Sequence, residues 1–161
     1  MNSPNDDDTH SEDIHINEAV SDETGQDDPT EEAPSVVYLT VNDLYNINEQ
    51  VVKGIPFVRD YYLLQSAARR PRIRIFGQPQ FPTLLDKAAA LLHSLAYRHL
   101  FTDGNKRTAA RAVSLFLEHN GIQPTWKERD LADFLLKVAQ EDTDTDTIAA
   151  WLAAHTTKAD S

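Results

Sequence analysis

At 161 residues and with no cysteine, the chain has room for one domain with a real core and no means of forming disulfides, thiolate zinc sites or a cysteine nucleophile. No apolar run approaches bilayer-spanning length, and the N-terminus is acidic where a signal peptide would be basic and then apolar. A soluble, cytoplasmic protein with no membrane partner is expected. The formal net charge of −11 argues against direct nucleic-acid binding, yet residues 1–34 carry twelve of the 26 acidic residues and no Lys or Arg. Fourteen acidic residues then face 15 basic ones in the remainder, which is nearly neutral and can carry a local basic site.

Residues 1–34 hold only scattered apolar side chains such as Ile14, Ile16 and Val20. Such a segment buries too little apolar area to offset its ordering entropy, which predicts a disordered acidic extension. Order is expected from near Val36. Thr40 with Asp43 three residues on forms a helix start, Leu44, Ile47 and Val51 follow at helical spacing, and Gly54 ends the element. A second helix is expected from about Asp60, with Leu63, Leu64, Ala67 and Ala68 inward and a stop before Pro71. Tyr61 and Tyr62 are read as packing residues.

Arg72-Ile73-Arg74-Ile75 then alternates with period two before a Gly77-Gln78-Pro79 turn, the pattern of a short strand or hairpin in an otherwise helical chain. An exposed edge there can pair with an extended peptide; an ordinary solvated loop would show the same residues. Thr83 caps a third helix whose wide apolar face, Leu84, Leu85, Ala88, Leu91, Leu92 and Leu95, suggests a central position. Ala109, Ala112, Val113, Phe116 and Leu117 mark a fourth helix closed by Asn120-Gly121. Two more are expected around Leu131 to Val138 and Ile148 to Leu152. The alternating Asp142 to Thr147 run lacks the glycine and closing glutamate of a calcium loop, so capping is its better account. His93, His119 and His155 are read as surface or packing histidines. The whole is expected to be a compact α-helical domain with one small β element.

Between the third and fourth helices stands His99-Leu100-Phe101-Thr102-Asp103-Gly104-Asn105-Lys106-Arg107. Gly104 permits a tight turn, and the N–H groups that begin the following helix have no intrahelical partner, which makes an anion site reinforced by Lys106 and Arg107. Phosphate fits such a set of donors and cations. Asp103 would repel it unless a cation intervenes, and Mg²⁺ is commonly held by one or two carboxylates together with substrate phosphates. His99 is a residue type able to accept a hydroxyl proton near neutral pH. Phe101 is read as a core anchor. On residue types alone, a plain helix connection capped by Asp103 or Asn105 remains an alternative.

This nine-residue run resembles the signature of the Fic/Doc (Fido) family, and its lysine resembles the death-on-curing (Doc) toxins of toxin–antitoxin pairs. The likeness continues in order through Phe57-Val58-Arg59-Asp60, Phe76-Gly77, Phe81-Pro82-Thr83-Leu84, Lys87 to Leu95 and Ser114 to Gly121. It implies an all-α Fic/Doc domain over residues 35–157 with a short β-hairpin flap, preceded by the extension of residues 1–34. It also implies that His99 deprotonates a target hydroxyl and that Asp103 binds Mg²⁺ at the phosphates of ATP. Gly104 and Asn105 would shape the anion nest, with Lys106 and Arg107 at phosphate, while a flap of about Arg72 to Phe81 would align the target as an added strand. AMP-transferring members have glycine where Lys106 stands and an arginine where this chain has Ala110; Arg111 is one residue late, about 100° around the helix. The resemblance therefore implies transfer of the γ-phosphate to a protein in translation, with adenylyl transfer as the runner-up and a non-catalytic anion- or partner-binding module as the other class. No inhibitory helix is recognised in the chain, so restraint by a Phd-like antitoxin in trans is expected.

Overall fold

Residues 35–160 are described by a computed structural model; the disorder expected of residues 1–34 lies outside the described residues. Thr40 opens helix α1 (Val41–Val52) through a reciprocal cap, its hydroxyl accepting from the Asp43 N–H at 3.1 Å while the Asp43 carboxylate accepts from the Thr40 N–H at 2.7 Å. Lys53, in the left-handed region at φ 54°, closes the helix one residue before the expected Gly54. Asp60 caps α2 (Tyr61–Arg69), whose buried face is Leu64, Ala67 and Ala68. Tyr61 and Tyr62 fall on the opposite side and are 56 % and 83 % exposed, so they are not the packing residues expected. Helical spacing turns both outward once Leu64 and Ala68 point in.

As expected, α2 stops before Pro71; the chain then enters a single 3-10 turn, Arg70–Arg72, because a proline at the start of a helical turn has no N–H to leave unpaired. Strands β1 (Arg74–Ile75) and β2 (Gln78–Pro79) form an antiparallel hairpin. Phe76 and Gly77 both have positive φ, 49° and 75°, so the turn lies earlier than the expected Gly77-Gln78-Pro79 and has the two left-handed residues that match strand twist.

Helix α3 (Leu84–Tyr97) starts on a second reciprocal cap, Thr83 with Asp86, and every residue from Lys87 to Ala96 is buried. It is the central helix, packed against α4 (Asn105–His119), α5 (Glu128–Glu141), α6 (Thr145–Ala154) and the 3-10 turn. Helix α1 covers α4. A second antiparallel pair, β3 (Ile122–Pro124) with β4 (Thr156–Lys158), follows α4 and closes the chain; the sequence pattern held no expectation of it. In the Asp-Thr run, Asp144 caps α6 by accepting from the Thr147 N–H at 2.7 Å, and Asp142 closes α5 at φ 49°.

His93 is a buried packing histidine with specific partners. The guanidinium of Arg70 lies 2.7 Å from its Nδ1, and its Nε2 lies 2.6 Å from an Asp142 oxygen. Since arginine only donates, Nδ1 accepts and Nε2 carries the hydrogen given to Asp142. Burial first, and the Arg98 charge second, push the Arg70 guanidinium below its ordinary range, with Asp142 opposing. This chain of contacts joins the 3-10 turn, the central helix and the corner between α5 and α6.

Candidate active site

The connection between α3 and α4 is held from below by apolar burial and from the side by a short strand-like pairing. Leu100 and Phe101 are 0 % and 1 % exposed, which bears out Phe101 as a core anchor. Val58 bridges Phe101 in antiparallel fashion; the Arg59 N–H donates to the Leu100 carbonyl at 2.9 Å, and the Thr102 N–H to the Phe57 carbonyl at 3.0 Å. The approach to α2 is thus the second wall of the connection. With both chain directions fixed, the polar side chains between them can be exposed without letting the backbone drift.

Two asparagines complete the support. The Asn105 side chain accepts from the Phe101 N–H at 3.0 Å and donates to the Phe101 carbonyl at 2.8 Å, closing the loop across its neck. Asn48, only 1 % exposed on α1, donates to the Asp103 carbonyl at 2.9 Å and to the Thr108 hydroxyl at 3.1 Å. A buried amide satisfied in this way fixes geometry because breaking either bond leaves a polar group dry. Asn48 was not recognised from the sequence. Its one signal is a polar residue on the face of a helix whose neighbours Leu44 and Ile47 are core.

Gly104 sits at φ 77°, and a Cβ added there would lie 2.8 Å from Val52 Cγ1 and 3.2 Å from Val51 Cγ2. Both the backbone conformation and the close approach of α1 therefore require glycine. Directly after it, α4 begins without a side-chain cap, as does α5, whereas α1, α2, α3 and α6 each have one. The first hydrogen bond into the helix runs from the Thr108 N–H to the Gly104 carbonyl at 2.8 Å, so the N–H groups of Asn105, Lys106 and Arg107 find no partner among the described residues.

The charged groups divide into engaged and free. Arg107 donates to the Val51 carbonyl at 2.8 Å, tying the start of α4 to the end of α1, and approaches Asp103 at 3.5 Å. One Asp103 oxygen accepts from the Gly104 N–H at 2.7 Å; the carboxylate is otherwise exposed and retains acceptor capacity. Such a carboxylate fits Mg²⁺ as one ligand among phosphate oxygens and water, the arrangement this ion commonly takes. Among the described residues no group of three or more acidic or histidine side chains could hold a metal unaided. Lys106 is exposed and forms no ion pair among the described residues. His99 is exposed at φ 35°, an uncommon conformation for a non-glycine residue, and its ring has no hydrogen-bond partner among the described residues. The structure therefore brings His99, Asp103, Gly104, Asn105, Lys106 and Arg107 into one exposed connection, while Arg111 is exposed one helical step away from Ala110.

Residues 38–117 match the Fic/DOC family. The chain is 43 % identical over 118 residues to "Toxin Doc" of Mycolicibacterium smegmatis (strain ATCC 700084 / mc(2)155), a match spanning 72 % of this chain and 91 % of that protein. It is 28 % identical over 106 residues to "Protein kinase doc" of Escherichia phage P1, spanning 66 % of this chain and 82 % of the phage protein.

Proposed function

Because this chain belongs to the Fic/Doc family, we propose that it is a Doc-type toxin that transfers the γ-phosphate of ATP to a hydroxyl of a protein in translation and is restrained in trans by a Phd-like antitoxin. The observation that carries this reading is the uncapped start of α4 with Lys106 exposed beside it. Three unpartnered N–H groups and an ammonium form a charge-stabilising cradle for a transferring phosphoryl group. The name of the phage relative, protein kinase, supports the same reaction.

In this reading His99 accepts the proton of the target hydroxyl as that oxygen forms its bond to the γ-phosphorus. The bond from the γ-phosphorus to the oxygen bridging it to the β-phosphate breaks, and ADP leaves. Lys106 and the α4 N–H groups stabilise the equatorial charge, and Arg107, anchored on the Val51 carbonyl, presents its remaining donors to phosphate. Gly104 and Asn105 keep the cradle in shape. Asp103 would hold Mg²⁺, which when bound neutralises phosphate charge. The hairpin of β1 and β2 serves as the flap along which the target segment is laid as an added strand.

Adenylyl transfer is the second enzymatic reading, and Ala110 in place of an arginine speaks against it. Singly labelled ATP separates the possibilities. Antitoxin-free protein is expected to move γ-label, and not α-label, into an acceptor protein of a bacterial extract. Transfer of α-label instead would establish the adenylyl transferase, and transfer of neither would leave a binding module. Lys106→Gly is expected to lower γ-transfer at least tenfold, and unaltered transfer would remove the lysine from the argument.

A further inference from the structure

The hairpin that follows α2 is too small to hold its own orientation. Its strands are two residues each, and two-stranded ribbons are marginal in water even when much longer. Residues 72–78 are all exposed; only the two feet, Pro71 and Phe81, are buried. Whatever fixes the hairpin must act at those feet.

Lys87 of α3 lies directly beneath them. It is 7 % exposed, and its Nζ donates to the Phe81 carbonyl at 2.7 Å and to the Pro71 carbonyl at 3.2 Å, one acceptor on each side of the hairpin. The Tyr38 ring centroid is 5.8 Å away, and among the described residues no carboxylate pairs with this amine. Taking a lysine out of water is costly, and methionine or leucine would fill the same space without that cost. Two aromatic contacts of neighbouring arginines reinforce the base: Arg70 over Phe81 at 5.5 Å and Arg72 over Tyr38 at 4.3 Å.

We infer that Lys87 is a positioning residue that ties both feet of the hairpin to the central helix and so sets the angle at which the target segment meets His99. It touches neither nucleotide nor target. Lys87 lies near the start of α3 and His99 stands two residues past its end at Tyr97, so one helix spans the distance between the clamp and the loop that carries the base. The part concerning the target rests on the proposed phosphotransfer; the clamp itself does not.

The test uses the full chain with Lys87→Met. Hydrogen exchange of the peptide over residues 73–81, which includes the Gln80 N–H bonded to the Ile73 carbonyl at 2.9 Å, is expected to quicken at least tenfold, while peptides of α4 keep their protection. In γ-label transfer, the extract concentration giving half-maximal labelling is expected to rise about tenfold, with maximal labelling and the half-saturating ATP concentration each within about twofold of the parent. Unchanged exchange in the hairpin, or a loss of maximal transfer with no change in half-saturation, overturns the proposal. Ile73→Cys with Gln80→Cys in the Lys87→Met background supplies a rescue in an otherwise cysteine-free chain. Oxidation is expected to restore at least half of the lost hairpin protection, and no restoration counts against the clamp. If the methionine variant does not fold, Lys87→Gln keeps an uncharged amide donor on a shorter side chain and is expected to show the same pattern at about threefold. Should the parent protein transfer no label, the proposed reaction fails while the exchange measurement still decides the clamp.

Discussion

The connection from His99 to Arg107 and the hairpin from Arg72 to Phe81 are both exposed polar excursions between helices, and they are held in opposite ways. The connection is pinned along its whole length: Leu100 and Phe101 are in the core, Phe57 and Arg59 pair with its backbone, and Asn48 and Asn105 lock its turn. The hairpin is pinned only at its ends, by Lys87 and the stacked arginines. In the proposed reaction, a cradle pinned throughout and a platform held only at its feet suit different jobs. Charge must be stabilised by groups that do not reorganise, whereas a target segment must be able to enter and leave.

That contrast can be broken by substitution. The largest effect is expected for His99→Ala, which should lower γ-transfer by about 10²–10⁴-fold, the usual worth of a general base, with helical circular dichroism unchanged. A variant that retains transfer would remove His99 as the base. Gly104→Ala should follow, costing roughly 3 kcal/mol in urea denaturation, because the left-handed conformation and the clash with Val52 add. Asn48→Ala is expected to cost about 2 kcal/mol, since the Asp103 carbonyl and Thr108 hydroxyl lose their donor. Its exchange signature should appear at the start of α4, and protection there equal to the parent would show that the amide does not hold the loop.

The mildest change tests the other side of the comparison. Gly77 has φ 75°, nearly that of Gly104, but a Cβ there meets nothing within 4 Å. Gly77→Ala should therefore cost about 1 kcal/mol of backbone strain alone. Equal losses from Gly77→Ala and Gly104→Ala would mean that packing against α1 contributes nothing to the choice of glycine at the loop.

Much of this molecule was legible locally. The caps at Thr40, Asp60 and Thr83 bond within three residues, so their sequence spacing was enough to place the helix starts. The faces of α3 and α4 followed from their period. Tyr61 and Tyr62 are exposed because the helical phase that turns Leu64 and Ala68 inward turns both tyrosines outward, whatever their aromatic character. The turn of the hairpin was displaced because Phe76 adopts a conformation that glycine usually takes.

By itself the sequence determined the six helices, the hairpin, the family and the polar run that begins at His99, because each depends on residue type and short-range spacing. Tertiary structure alone decided how the members of that run are employed. Asn105 faces the Phe101 backbone, Arg107 reaches the Val51 carbonyl 56 residues earlier in the chain, and Asn48 supports Asp103 from 55 residues away. Unlike the Asn105 bond, which spans four residues, those of Arg107 and Asn48 carry no local signal. They exist because α1 packs on α4, and packing is settled by the whole core at once.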